Sequence, residues 1–326
     1  MMMLLGKGVR GNENLLKGDS GMRSNQVRQQ QALDLHNAGF SYPQIAERLG
    51  YTSAGSARSA IVRARRLLNL GRQFGIEIEF NGITRDAALA AVTAAGIACS
   101  FGSWTGTRRP ESYWTLTTDG SVRSTGTGCA SGLEFVSPIL RDEDGYSQVI
   151  KVMDALASAG ATVDRSCGMH VHHDADGLSG EEIASVFEFY TNRQDAIDKL
   201  VSPSRRGTRS YTGPFESGEL RNITDSFRSS RTAPEYAPRY RHVNAQAFRK
   251  HGTIEIRQHQ GSVNGEKAVA WIKFGQAMIK SAQANASTTV PLTVFEMVQT
   301  LSNDHGLDAD AAGYLVNRAM HFTSAE

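Results

Sequence analysis

Four stretches of the chain alternate apolar residues with charged or imidazole ones in step with a β-strand: FGIEIEF (Phe74 to Phe80), GLEFVSP (Gly132 to Pro138), CGMHVHH (Cys167 to His173) and HGTIEIR (His251 to Arg257). Side chains two apart on a strand point the same way. Glu77 therefore shares a face with Glu79, His170 with His172, and Glu255 with Arg257, while Glu134 stands among Leu133, Phe135 and Val136. The alternation predicts strands over 73–80, 112–118, 131–137, 168–174 and 251–258, and a 3.6-residue apolar period predicts helices over 84–95, 144–159, 179–200, 265–284 and 307–320. The second and third strands are joined by a Gly- and Ser-rich loop with no helix in it. A mainly antiparallel sheet in an α+β domain over 72–326 is the expectation. Ser202 to Arg239, with Arg205, Arg206, Arg209, Arg221, Arg228 and Arg231, reads as a long loop of the kind that serves as a lid or substrate loop.

The first 71 residues follow a different pattern. Residues 1–21 read as a flexible tail. A helix over 26–38 offers Val27, Ala32, Leu33 and Leu35 as apolar contacts, and Ser41 caps a second helix carrying Ile45, Ala46 and Leu49 that stops at Gly50. A third helix, over 56–69, places Ala57, Ala60, Ile61, Ala64, Leu67 and Leu68 on one side and Arg58, Arg63, Arg65 and Arg66 largely on the other. This order of short helix, tight turn and basic helix resembles a helix-turn-helix domain over 22–71, which implies DNA as a partner. The plainer account is a packed appendage with a solvated arginine face.

Charge sharpens the division. Residues 22–72 hold eight arginines against Asp34 and Glu47, a net of +6, whereas residues 73–326 carry −5. A basic head on an acidic body suits a nucleic-acid-binding unit joined to a catalytic one. With 40% hydrophobic and 21% charged residues the composition is that of an ordinary globular protein. No apolar run approaches the roughly 18 residues of a membrane span, and the apolar start Met1 to Leu5 gives way at once to a Gly- and charge-rich stretch. A cytoplasmic protein without a membrane partner is expected. Cys99, Cys129 and Cys167 form no C-x-x-C pair and read as packing residues, although Cys167 lies three residues before His170.

Several acidic strand faces gathered in one sheet are costly unless cations neutralise them. Oxygen-rich ligands favour Mg²⁺ or Mn²⁺.

Taken in order, F-G-x-E-x-E, D-G-S (Asp119 to Ser121), G-L-E-x-V-S-P, C-G-x-H-V-H, Y-R-x-x-N (Tyr240 to Asn244) and T-I-E-x-R resemble the amidoligases, carboxylate–amine ligases akin to glutamate–cysteine ligase and glutamine synthetase. The resemblance spans about residues 73–284. It implies a mainly antiparallel sheet curled into a funnel with helices outside, ATP and Mg²⁺ (or Mn²⁺) as cofactors, and an amine and a carboxylate as substrates. Glu77, Glu79, Asp119, Glu134, His170 and Glu255 are the implied metal ligands, and Arg257 the implied phosphate or intermediate clamp. His172 is a candidate for phosphate or substrate. Ser121, Tyr240, Arg241 and Asn244 are implied substrate or nucleotide contacts. The family is often phage-encoded, which implies a bacterial host cytoplasm. Amide formation through an acyl phosphate needs no enzyme nucleophile, in keeping with the lack of a Ser-His-Asp or Cys-His arrangement.

Two other readings compete. H-V-H-H-D (His170 to Asp174) resembles the start of a zinc hydrolase site but lacks the histidine that should follow. A non-catalytic DNA-binding regulator or phage assembly protein would keep the basic head and use the second domain only to bind a ligand.

Overall fold

The computed structural model describes residues 13–67, 71–102, 112–128, 131–207, 212–284 and 293–323, with side chains described from residue 25 and not at 65–67. The chain divides into two compact units, Met1–Leu70 and Gly71–Glu326.

The first unit contains helices α1 (Glu13–Asn37), α2 (Tyr42–Leu49) and α3 (Ala54–Leu67). α1 begins well before the expected start at residue 26. Ser41 opens α2 by donating its backbone N–H to Gln44 Oε1 at 2.9 Å, and Gly50 ends it at φ 66°, a conformation that disfavours side chains with a Cβ. Ala32, Leu33, Ile45, Ala46, Ala57, Ala60, Ile61 and Ala64 form a separate small core. Val27, expected to contribute, is 56% exposed. Arg28 lies over the Tyr51 ring and Arg48 over Phe40, at 4.1 and 4.0 Å from the ring centroids. Arg63 is exposed and Arg58 half-buried, while the side chains of Arg65 and Arg66 lie outside the described residues.

The second unit is α+β, with helices α4 (Arg85–Ala94), α5 (Asp142–Ser158), α6 (Gly180–Asn192), α7 (Gln194–Asp198), α8 (Glu219–Ser230), α9 (Gln246–His251), α10 (Gly265–Gln283), α11 (Val294–His305) and α12 (Ala309–Thr323) among its described residues. Its strands are β1 (Phe74–Phe80), β2 (Cys99–Phe101), β3 (Trp114–Asp119), β4 (Gly132–Val136), β5 (Met169–Asp174), β6 (Val243–Asn244) and β7 (Thr253–Ile256). They form one sheet in the order β2-β3-β4-β1-β5-β7-β6. Every pairing is antiparallel except β2 with β3. The sheet is thus mixed and open, with β2 and β6 as edges. Among the described residues no ring of strands closes the funnel that the resemblance implied.

Strand alternation gives this sheet two unlike faces. One carries Trp114, Leu116, Phe135, Ile76, Ile78, Phe80, Met169, Val171, Ile254 and Ile256, all buried. Each contributes roughly 1.5–3 kcal/mol by leaving water. They join one core with Val149, Val152 and Met153 of α5 (Asp142–Ser158), Ile183 and Phe187 of α6 (Gly180–Asn192), and Trp271, Phe274 and Met278 of α10 (Gly265–Gln283). His173, on this apolar face, is enclosed against α10 at Gly275, where any Cβ would fall 2.2 Å from its Nε2. Burial pushes its imidazole down to about 3, so it packs as a neutral ring.

The stretch expected to be a long loop contains α8 (Glu219–Ser230). Ile223, Thr224 and Phe227 bury its inner side, and Phe227 stacks on Phe187 of α6 with centroids 5.4 Å apart. Arg228 on its outer side bonds Glu181 and Glu188, so that arginine braces α8 onto α6. Trp104, Cys129, Arg209 and most of the 108–112 loop lie outside the described residues.

Candidate functional site

The other sheet face collects the charged groups, and strand register explains how. Glu79 of β1 stands opposite Glu134 of β4, and Glu77 opposite His170 of β5. His172 stands opposite Glu255 of β7, which in turn faces Asn244 of β6. Thr117 of β3 continues the row beyond Glu134. Glu79, Glu134, His170, His172, Glu255 and Arg257 are all buried, and Glu77 is half-buried. Residues from distant sequence segments thus meet on one surface.

Two groups of ligand-type atoms share His170. Glu77, His170 and Glu255 bring one donor atom each within 4.8 Å of one another, as do Glu79, Glu134 and His170. His170 Nδ1 lies 3.3 Å from Glu77 Oε2 and 4.0 Å from Glu255 Oε1, and its Nε2 lies 3.8 Å from Glu79 Oε1. His172 Nε2 lies 3.3 Å from Glu77 Oε1 and 3.7 Å from Glu255 Oε2, with Nδ1 held 2.9 Å from Thr253 Oγ1. Gly168, just before β5, makes the convergence possible. A Cβ there would sit 2.8 Å from His170 Nε2 and 3.3 Å from Glu79 Oε2.

The electrostatics differ across the patch. Burial would push the Glu255 carboxyl up, but the Arg257 guanidinium and then His172 more than offset this and hold it well below the usual carboxylate range. Arg257 Nη1 donates to Glu255 Oε1 at 2.5 Å and Asn244 Nδ2 to Glu255 Oε2 at 2.7 Å. Glu79 goes the other way. Burial raises it, and the nearby Asp119 charge adds to the rise, although His170 and an N–H···O bond from Gly168 at 2.5 Å oppose it. Two carboxylates directly opposite each other on a sheet repel. The Glu79–Glu134 pair therefore fits a divalent cation, and its donor set of carboxylate oxygens with one imidazole suits Mg²⁺ or Mn²⁺.

The remaining expected site residues are placed unevenly. Asp119, at the end of β3, accepts from Ser121 N–H at 2.6 Å and from Ser121 Oγ at 2.5 Å, forming a local turn. Arg241 is committed to Glu219 and Glu216 at 2.7 and 2.8 Å, on the side of α8. Tyr240 is 43% exposed, with the Arg239 guanidinium 5.8 Å from its ring centroid. Burial pushes the Cys167 thiol up to about 11, which removes it as a thiolate nucleophile. Sequence reasoning placed Arg205 only within an arginine-rich loop and did not single it out; it is 7% exposed and donates from Nη2 to the Cys167 carbonyl beside the Glu79 end of the patch. Its only signal was membership of an arginine-rich stretch.

Residues 70–279 match the family described as "Putative amidoligase enzyme". No curated protein matches the chain. Among solved structures the chain is similar to one titled a novel glutamine synthase homolog, at 13% identity over 82% of this chain and 70% of that one, with a TM-score of 0.35. It is also similar to a GmaS/ADP complex, at 12% identity over 82% of this chain and 73% of that one, with a TM-score of 0.39.

Proposed function

Because the chain belongs to the amidoligase family, we propose that its ligase chemistry is the ATP-dependent joining of a carboxylate to an amine through an acyl phosphate. The observation that carries this reading is the buried Glu79–Glu134 pair, with His170 between it and the Glu77–Glu255 pair. Glu77, Glu79, Glu134, His170 and Glu255 would hold Mg²⁺ or Mn²⁺, with Asp119 close enough to Glu79 for its charge to be felt. Such ions would supply charge neutralisation for the phosphates, whose γ-phosphoryl group goes to the carboxylate oxygen as its bond to the β-phosphate breaks and ADP leaves. Arg257, held by Glu255, presents a fixed guanidinium to the phosphoryl oxygens. His172, oriented by Thr253, lines the same surface beside Glu77. The amine then displaces phosphate from the acyl carbon, and no enzyme side chain need form a covalent bond.

An ATP-consumption assay over a panel of amines, amino acids and peptides tests this. ADP, phosphate and an amide are expected only when Mg²⁺ or Mn²⁺, an amine and a carboxylate are all present. Stoichiometric zinc surviving purification, together with nucleotide-independent amide cleavage, would put a hydrolase in its place. Among the described residues no helix is long and apolar enough to cross a membrane. The cytoplasm of a bacterial host, with the protein phage-encoded, remains the proposed setting.

For the first unit, a helix-turn-helix that binds DNA is the reading favoured by its charge. Eight arginines oppose two carboxylates over 22–72, and α3 turns Ala57, Ala60, Ile61 and Ala64 inward while Ser59 and Arg63 are exposed. Exposed small and basic residues on one helix suit close approach to phosphates. Arg58→Ala with Arg63→Ala should weaken DNA binding for all sequences and reduce the slope of log K against log salt by roughly two. An unaltered slope would leave these helices a packing role, and the regulator or assembly-protein reading would lose its DNA arm.

A further inference from the structure

Arg205 enters the acidic face from outside the strands. It ends a single 3₁₀ turn, Pro203–Arg205, that follows α7 (Gln194–Asp198). Its Nη2 donates to the carbonyl of Cys167, the residue before Gly168. A Cβ on Gly168 would meet Arg205 Nη2 at 3.4 Å, Glu79 Oε2 at 3.3 Å and His170 Nε2 at 2.8 Å, so the bare backbone at 168 is where these three side chains converge. Arg205 is also one of the charges that oppose the burial-driven rise of the Glu79 carboxyl. Arg257 performs the corresponding service for Glu255 at the other end of the patch. Each carboxylate group thus has its own buried guanidinium.

Arg205 is also held from behind, by a chain of amides. Gln258 follows Arg257 and is fully buried. Its Nε2 donates to the Arg205 carbonyl at 3.2 Å and to Asp198 Oδ1 at 2.6 Å, while its Oε1 accepts from Tyr190 OH at 2.6 Å and Gln194 Nε2 at 3.2 Å. Gln194 Nε2 also reaches Asp198 Oδ1 at 2.6 Å. Ser202 N–H donates to Gln260 Oε1 at 3.0 Å, and Pro203 restricts the turn between. A solvated surface arginine would have no use for a buried network fixing its backbone. Such support is what a group that must sit within a fraction of an ångström of its ligand requires.

We propose that Arg205 is a second anion clamp of this site, binding oxygens of the phosphate group held at the Glu79–Glu134–His170 end, and that Gln258 and Asp198 position it. The proposal rests on the ligase reading for the identity of its anion. A guanidinium supplies two parallel N–H donors to phosphate, which a lysine at the same point does not.

The test is ADP binding by calorimetry to the full chain with saturating Mn²⁺, alongside Mn²⁺ affinity by electron paramagnetic resonance and thermal melting. Arg205→Gln should weaken ADP about 10- to 100-fold, the loss typical of hydrogen bonds to a charged group. Mn²⁺ affinity should hold or improve, because a positive charge has left the carboxylates. Arg205→Lys should recover part of the loss. Gln258→Met should weaken ADP less than Arg205→Gln does and add nothing to it in the double variant, the mark of action through Arg205. Wild-type ADP affinity in Arg205→Gln would overturn the clamp while leaving the ligase reading intact. A wild-type protein that makes no amide, yet whose ADP affinity depends on Arg205, would keep the clamp and remove the ligation.

Discussion

Glu255 and Glu79 are both enclosed glutamates on one face of one sheet, yet their surroundings treat them in opposite ways. Glu255 has its charge matched within the protein, by Arg257 at 2.5 Å and by the amide of Asn244 at 2.7 Å. Glu79 faces another carboxylate across the strand pair and is raised by burial despite His170 and Arg205. The first arrangement matches its carboxylate with a guanidinium and fixes that arginine in place. The second sets two acidic side chains across from each other, beside His170. A single acidic surface therefore has one end where a guanidinium lowers a carboxyl and one where burial raises it.

The largest expected effect breaks the Glu255 end. Arg257→Met leaves Glu255 buried without its charge partner, a change that costs about 3–5 kcal/mol. Calorimetry should show melting lowered by roughly 10 °C for a unit of this size. A drop of a degree or two would mean that Glu255 is not balanced by Arg257, and the contrast would dissolve. Next comes the other end. Glu134→Gln removes one of the facing charges, so the metal-free protein should melt a degree or so higher, about 0.2–1 kcal/mol. Its Mn²⁺ affinity should fall at least about tenfold, since even outer-sphere ligand changes reach that size. Weaker stability and unchanged Mn²⁺ binding would show the pair to be a hydrogen-bonded brace.

The smallest effect is in pH dependence, where the two glutamates have opposite signs. Glu79 binds its proton more tightly in the fold than in the unfolded chain. Its contribution to stability is present in acid and is lost as pH rises from 4.5 through the higher folded value. Glu255 binds its proton less tightly in the fold, so its contribution is present above 4.5 and lost as pH falls towards about 2. Urea denaturation of the metal-free protein across pH should therefore show Glu79→Gln flattening the decline above pH 4.5. Glu255→Gln should flatten the decline in acid. Slopes of the same sign for both variants would contradict the comparison.

What the sequence revealed of this follows from period and length. Glu77, Glu79, Glu134, His170, His172 and Glu255 announce themselves because a charge in a strand-length apolar run is conspicuous. Their pairing does not, since register depends on which strands become neighbours, and only the fold sets Glu79 against Glu134. β2 and β6, of three and two residues, are too short to carry a period. α8 was hidden because Arg221, Arg228 and its serines dominate the composition, leaving Leu220, Ile223 and Phe227 as its apolar signal. Arg241 and Asn244 lie three apart in one motif, yet the chain sends Asn244 to Glu255 and Arg241 to Glu219. Arg205 could not be singled out among its neighbouring arginines, because its distinction is the buried amide network that holds its turn.

Cys167 lends the site its backbone carbonyl and keeps its sulfur out of the chemistry. A thiol that stays protonated reacts slowly with peroxide and with alkylating reagents. The fold thereby places an oxidisable atom next to the acidic face in its least reactive form, and oxidative stress should spare an enzyme that a thiolate at this position would expose to inactivation.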